Sequence, residues 1–323
     1  MNRTIIVAEK LSKKYGEVTA VESLDLSVGN EIYGFLGPNG SGKTTTVSML
    51  TSLLSPTSGR ASVCGYDIVK ERKKVRECMS FVPQSMAVDI KLTGRENVEL
   101  YCKLFGINDR NERKRRTEDA LEVMNLSDRA DHRVKTYSGG MQRRLELAQA
   151  LVHQPEVMFL DEPTVGLDVS ARHSIWEQIS KLSRAGITVF VTTHQMEEAE
   201  RYCDRVGIVK KGVLVKEGRP FDLKAAIRST VSIKTRGGVL SDIPEGAEVI
   251  GIKDDEMLFS AENGGEMLPV IIKAFEREGI EVFSTMIRDP TLEDIYLSSV
   301  GAGTEDLGAF NKGQFDHIMR RVR

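Results

Sequence analysis

From Ile5 to about Val215, short β-branched runs alternate with helical patterns, as a mainly parallel sheet wrapped by helices requires. EIYGFLG, VMFLDEP, ITVFVTT and VGIVKKG read as strands of that sheet. A helical insertion is expected over about residues 92–155. In it Thr93 and Glu96 are spaced for a capping box, and Val98, Tyr101, Leu104 and Phe105 are expected on one buried face. After Gly218-Arg219-Pro220 the pattern changes to VSIKT, a hairpin-like EVIGIKDDEMLF, a helix from about Glu266 to Glu278, then IEVFSTMI and LEDIYLSS. Leu268, Ile271, Ile272 and Phe275 share one face of that helix, enough for a small domain to bury a core of its own. The pattern thus predicts an α/β domain over residues 1–218, an α+β domain over 219–300 and a flexible tail over 301–323. In the tail Phe315, Ile318, Met319 and Val322 recur at helical spacing beside Lys312, Arg320, Arg321 and Arg323. Such a stripe suits the headgroup region of an anionic membrane, with docking on its own domain or plain disorder as the alternatives.

Composition narrows the class. With 323 residues, 40% hydrophobic and 28% charged, the chain has material for two cores and too little polarity for a disordered protein. No window approaches 18 consecutive apolar residues, so any membrane role is expected to be peripheral. The 45 basic and 47 acidic side chains leave a net charge of −2, which offers no general attraction to nucleic acid, and none is expected as a partner. Cys64, Cys78, Cys102 and Cys203 form no CxxC, and the N-terminus lacks the apolar stretch of a signal peptide. The expectation is a reducing, cytoplasmic location with free thiols and no zinc site.

The chemistry begins where EIYGFLG runs into GPNGSGKTT. Gly37, Gly42, Lys43 and Thr44 stand at the GxxxxGK[ST] spacing, between a strand and the helix TTTVSMLTSLL. Residues Gly37, Pro38, Asn39, Gly40, Ser41, Gly42, Lys43, Thr44 and Thr45 are therefore expected to cradle phosphates. Backbone amides and the helix dipole face the anion, Lys43 reaches the β and γ oxygens, and Thr44 ligates Mg²⁺. VMFLDEP then ends a buried strand on Asp161 and Glu162. Asp161 is expected to hold the metal, and Glu162 to orient and deprotonate the attacking water.

Between these sites YSGGMQRRLELAQAL places Ser138, Gly139 and Gly140 23 residues before Asp161. Ser138 is expected to cap a helix that packs Met141, Leu145, Ala148 and Val152 inward, leaving its first amides free for an anion. On these motifs the chain resembles the ABC ATPases over about residues 4–218. The resemblance implies the fold of a P-loop NTPase with a helical subdomain, ATP as substrate and Mg²⁺ as cofactor. It also sets Tyr15 of KKYG at the adenine-stacking position, Gln84 of FVPQ at the Q-loop as a further metal contact, Gly166-Leu167-Asp168 at the D-loop, and His194 at the γ-phosphate switch. It further implies a head-to-tail dimer in which each nucleotide lies between one chain's Gly37 to Thr45 and the other's Ser138 to Gly140. Tyr137 and Met141 stand where Leu and Gln are commonest, the D-loop reads VGLD rather than SALD, and the turn LSVGNEI is one residue short.

YSGGM, TVGLD and the ending DPTLEDIYL look like the daunorubicin-resistance branch of drug and lipid exporters, in which the ATPase is a chain apart from its transmembrane permease. The expected function is the ATP-hydrolysing subunit of such an exporter, peripheral on the inner face of the cell membrane, its cargo open among drug, lipid, glycan and ion. An importer ATPase with a regulatory C-terminal domain is the alternative, disfavoured by DPTLEDIYL. A non-transport ABC ATPase is another, disfavoured by the single P-loop and the 95 positions between Lys43 and Ser138. Ligand sensing, dimer contact and simple stabilisation all remain open for the second domain. The basic cluster Arg113 to Arg116 suits either a solvated helix face or a contact with lipid or the permease.

Overall fold

β1 (Ile6–Tyr15) and β2 (Val18–Val28) pair as an antiparallel hairpin, because only Gly16 and Glu17 separate them and Gly16 takes a φ of 56°. The computed structural model describes residues 3–236, 238–253 and 255–301. The chain divides into two units, one ending at Glu217 and the next beginning at Gly218.

β3 (Ile32–Leu36), buried at all five positions, leaves the hairpin for a second sheet and runs through the phosphate loop into α1 (Lys43–Leu50). β4 (Ser58–Val63) and β5 (Tyr66–Asp67) return to the hairpin, giving an antiparallel sheet ordered β2-β1-β4-β5. The mainly parallel sheet expected from the alternating pattern begins at β3, and the strands before it stand in this antiparallel sheet beside it. Parallel pairing needs a crossover of a dozen residues or more, and none separates β1 from β2.

α2 (Arg72–Cys78) leads into β6 (Met79–Val82), an edge strand of the second sheet. The helical layer follows as α3 (Gly94–Leu104), α4 (Arg110–Val123) and α5 (Gly139–Leu151). The chain then alternates through β7 (Val157–Asp161), α6 (Val169–Arg184), β8 (Thr188–Thr193), α7 (Met196–Tyr202), β9 (Arg205–Lys210) and β10 (Val213–Gly218). The strand order is β10-β9-β3-β8-β7-β6, and the pairs from β9 to β6 are parallel. The four predicted strands all lie in this sheet. Phe190 of β8 anchors its core, with ring centroids 5.4 Å from Tyr33, 5.5 Å from Phe35 and 5.6 Å from Phe159.

The capping box at α3 forms as expected: Glu96 N–H donates to the Thr93 hydroxyl at 3.1 Å and Thr93 N–H to the Glu96 carboxylate at 2.8 Å. The buried face differs from the expected one. It runs through Gly94, Asn97, Val98 and Cys102, while Leu104 is 72% exposed. At about 100° per residue, six residues carry Leu104 some 120° away from Val98. Phe105 instead stacks on His153, with ring centroids 3.8 Å apart. On α5, Leu145, Ala148 and Val152 are buried as expected, but Met141 is only half-buried because it lies in the exposed first turn. The basic cluster on α4 is tied to its own helix: Arg115 pairs with Glu112 at 2.8 Å and Asp119 at 3.1 Å, and Arg116 with Glu112 at 2.6 Å.

The second unit opens with α8 (Pro220–Ala225). It then builds an antiparallel sheet from β11 (Ser229–Arg236), β12 (Ala247–Lys253) and β13 (Glu256–Ala261), crosses it with α9 (Gly264–Arg277), adds β14 (Glu281–Arg288) and ends in α10 (Leu292–Gly301). The order is β12-β13-β11-β14. Its separate core joins Val231, Ile233, Met257 and Phe259 of the sheet to Ile271 and Phe275 of α9. Among the described residues no helix is long and apolar enough to cross a membrane. The tail stripe of Phe315, Ile318, Met319 and Val322 lies outside the described residues.

Candidate active site

The carboxyl ends of four neighbouring strands, β3, β8, β7 and β6, carry the phosphate loop, His194, the Asp161-Glu162 pair and Gln84 respectively. Such strand ends are where open α/β sheets hold ligands. The phosphate loop has its shape because two of its positions admit no side chain. A Cβ at Gly37 would collide with the Val209 carbonyl oxygen, and one at Gly42, where φ is 100°, with the Ala20 carbonyl. Pro38, Asn39 and Gly40 form the exposed crest, with Thr44 exposed and Thr45 half-buried at the start of α1. Lys43 is folded back, its ammonium donating to Gly37 O at 2.8 Å and Pro38 O at 3.1 Å. Ser41 Oγ is buried without a hydrogen-bond partner in the protein, an orphan that a phosphate oxygen would satisfy.

Glu162 is where the distant parts meet. Its carboxylate lies 3.5 Å from Lys43 Nζ and 3.2 Å from His194 Nδ1, and accepts from Gln84 Nε2 at 3.3 Å. Its side chain is 8% exposed, whereas the His194 ring is 43% exposed. Glu162 also has a positive φ of 47° although it precedes Pro163, a backbone state costing roughly 1–3 kcal/mol. Two acceptors hold it there, since Glu162 N–H donates to Thr192 O and to Thr192 Oγ1, each at 3.1 Å.

Asp161, almost fully buried, accepts from Thr44 Oγ1 at 3.1 Å on one oxygen and from Thr192 Oγ1 on the other. Thr44, Asp161 and the Gln84 amide make a set of hard oxygen donors with a single carboxylate. That suits Mg²⁺, which takes one or two protein carboxylates beside phosphate and water.

Two supports went unread in the sequence. The first is Thr192, whose hydroxyl joins the two acidic residues. The second is the buried pair Arg143–Glu146 on α5, at 2.8 Å. Arg143 donates to Pro83 O at 2.8 Å and Gln84 O at 3.0 Å, while Glu146 accepts from Ala87 N–H at 2.5 Å, so the helix behind Ser138 grips the Gln84 loop. Burial pushes the Glu146 carboxyl up, against the lowering effects of Ala87 N–H and Arg143. An arginine and a glutamate three apart on an amphipathic helix read as surface charges, so only their burial distinguishes them. Glu198 of α7 does similar work, accepting from Thr164 at 2.7 Å and Trp176 at 2.8 Å beside the loop that ends at Asp168.

The remaining expected residues stand apart from this cluster. Ser138 caps α5 by accepting from Met141 N–H at 3.3 Å, and Asp168 caps α6 by accepting from Ala171 N–H at 2.9 Å. The two line one cavity of about 250 Å³ with Gly140, Met141, Arg144 and Ser174, and no residue of 37–45 lines it. Gly139 packs on Leu167, and a Cβ on Gly140 would lie 2.8 Å from that of Ala171. Tyr15, at the end of β1, is 51% exposed with Lys13 Nζ 5.3 Å over its ring.

A phosphate loop, a capped serine turn and a paired acid, in this order along the chain, match known proteins. The ABC transporter family profile covers residues 22–165. A daunorubicin resistance ATP-binding protein, DrrA3 of Streptomyces coeruleorubidus, is 38% identical over 93% of this chain and 97% of its own length. The chain belongs to the ABC transporter ATP-binding family. The linearmycin resistance ATP-binding protein LnrL of Bacillus subtilis is 35% identical over 94% of this chain and 100% of its own. Nod factor export ATP-binding protein I of Rhizobium etli is 36% identical over 94% and 96%. Among solved structures, cbiO1 of Clostridium perfringens, part of the transporter complex cbiONQ, aligns with a TM-score of 0.65 at 27% identity, covering 70% of this chain and 92% of its own. The ATP-binding cassette MJ0796, solved as a post-hydrolysis dimer with ADP and phosphate, aligns at 0.60 and 29% identity, covering 67% and 98%. This ABC protein is an ATP-binding and ATP-hydrolysing transporter subunit with the P-loop α/β fold.

Proposed function

We propose that two copies of the chain pair head to tail, each holding ATP and Mg²⁺ between its own residues 37–45 and the other copy's Ser138 to Gly140, and that hydrolysis there drives export through a separately encoded permease. The observation that carries this reading is the convergence on Glu162 of Lys43, Gln84 and His194, from three other strand ends. The cavity under Ser138 and Asp168 supports the pairing, since those capped helix starts have no partner group from the chain's own phosphate loop. The resistance and export relatives favour an exporter over an importer or a non-transport ATPase.

In this reading the phosphate-loop amides and Ser41 Oγ bind the phosphates, and Lys43 exchanges two carbonyls for a γ-phosphate oxygen. Glu162 takes a proton from the attacking water while Gln84 and His194 orient its carboxylate, and the exposed His194 donates to the γ-phosphate. Tyr15 offers a ring face to adenine. Mg²⁺, held by Thr44 and Asp161 with Gln84, would supply charge neutralisation on the phosphates.

The permease would rest on the loop after Gln84 and the cavity of about 250 Å³ beside it, lined by Phe81, Pro83, Ala87, Tyr101, Phe105 and His153. That loop touches both the catalytic carboxylate and α5, so a change of nucleotide can be felt at this surface. The chain would then sit peripherally on the inner face of the cell membrane.

Glu162→Gln tests the reading, because the amide keeps the shape but cannot take the proton. ATP turnover should fall by about 10² to 10⁴ with ATP affinity retained, and the variant should run as a dimer with ATP and a monomer with ADP in light scattering. Near-normal turnover would remove Glu162 from the role of base.

A further inference from the structure

His194 follows the last residue of β8, and its ring, 43% exposed, meets Glu162 at 3.2 Å. A ring so exposed takes its place from the backbone that carries it. On the strand side that backbone is fixed by Thr193, buried in the sheet opposite Leu36. On the other side stands Gln195, at the N-cap position of α7. Its N–H donates to the Thr193 hydroxyl at 2.9 Å, but its side chain does not cap the helix. The amide oxygen accepts instead from Arg172 Nη1 of α6 at 2.8 Å.

Elsewhere the guanidinium gains little. Nη1 also lies 3.7 Å from one Glu198 oxygen, while the other Glu198 oxygen accepts from Thr164 at 2.7 Å and Trp176 at 2.8 Å. Arg172 Nε is buried without a hydrogen-bond partner in the protein. A buried donor left unpaired is costly, so packing alone gives no reason for a guanidinium at this position. What the position supplies is a planar donor standing on a firm base. Trp176, one turn further along α6, is buried and stacks on Tyr202 of α7 with ring centroids 5.0 Å apart.

We propose that Arg172 is a positioning residue for ATP hydrolysis: by holding the Gln195 amide it fixes the turn between β8 and α7 and so sets the His194 ring against Glu162 and the γ-phosphate. The proposal rests on the role given to His194 above and adds the residue on which that role depends.

Steady-state ATP turnover of the full chain tests it. Arg172→Met keeps the length of the side chain and removes the donor. It should lower kcat by about 10- to 100-fold with the KM for ATP unchanged, because a misplaced group at the reacting centre costs rate on that scale while the phosphate loop still binds the nucleotide. Gln195→Met should lose as much, and Gln195→Glu, which keeps an acceptor for Arg172, should stay near wild type. In a His194→Ala chain, itself slow, Arg172→Met should cause no further loss, since it acts through that ring. The emission maximum of Trp176, the chain's single tryptophan, should be the same in wild type and both Met variants, because α6 stays packed on α7. Wild-type kcat in Arg172→Met, a Gln195→Glu chain as slow as Gln195→Met, a further loss on top of His194→Ala, or a shifted emission maximum overturns the positioning role and leaves His194 in the reaction. Wild-type turnover in His194→Ala instead removes His194 and the proposal together.

Discussion

Replacing Thr192 by Val removes one oxygen from the floor of the site and keeps the shape of the side chain, so the consequence follows from what that oxygen touches. Thr192 is fully buried and its hydroxyl makes two contacts, donating to Asp161 and accepting from Glu162 N–H. Glu162 N–H keeps the Thr192 carbonyl at 3.1 Å, so the backbone turn should survive. Asp161 keeps the Thr44 hydroxyl at 3.1 Å but loses its other donor. A hydrogen bond to a charged group contributes about 1.5–3 kcal/mol, and loss of an outer partner of a metal ligand typically weakens metal binding about 10- to 100-fold. The Mg²⁺ concentration for half-maximal ATP hydrolysis should therefore rise by about 10- to 100-fold in Thr192→Val, with a smaller fall in turnover at saturating Mg²⁺. Thr192→Ser, which restores the hydroxyl, should return the Mg²⁺ dependence to near wild type. An unchanged Mg²⁺ requirement in the Val variant, or a Ser variant as impaired as Val, refutes the assignment of Thr192 as the residue that positions Asp161.

Two further outcomes bear on the helical layer. Arg143→Ala strands Glu146 as a buried unpaired carboxylate and should cost about 3–5 kcal/mol in urea unfolding, with most of that recovered in an Arg143→Met, Glu146→Met double variant; equal losses in both would show that the pair is incidental. His153, half-buried against Phe105, has its pKa lowered from the ordinary 6.5 chiefly by that burial. Below pH 6.5 the unfolded chain takes a proton that the folded chain resists, so stability should fall with pH from 6.5 toward the lower folded value, more steeply than in His153→Gln; parallel curves would contradict it.

Features whose cause lies within a few residues could be read from the sequence alone. The phosphate loop is one, because Gly37 and Gly42 admit no side chain and Lys43 and Thr44 follow at fixed spacing. The caps of α3 and α5 are others, since Thr93 and Ser138 each bond an amide three residues ahead. The strands of the parallel sheet were legible too, as continuous apolar runs. Tertiary structure alone decided what meets across the chain. The contacts of Lys43, Gln84 and His194 with Glu162 depend on the order β3-β8-β7-β6, and hydrophobic pattern carries no record of which strand lies beside which. The same holds for Thr192 between two carboxyl groups, for Arg143 and Glu146 drawn out of water, and for the separation of β1, β2, β4 and β5 into their own antiparallel sheet. The face of α3 belongs with these, since burial is set by which neighbours arrive, and a residue's own chemistry states only whether it would be favourable.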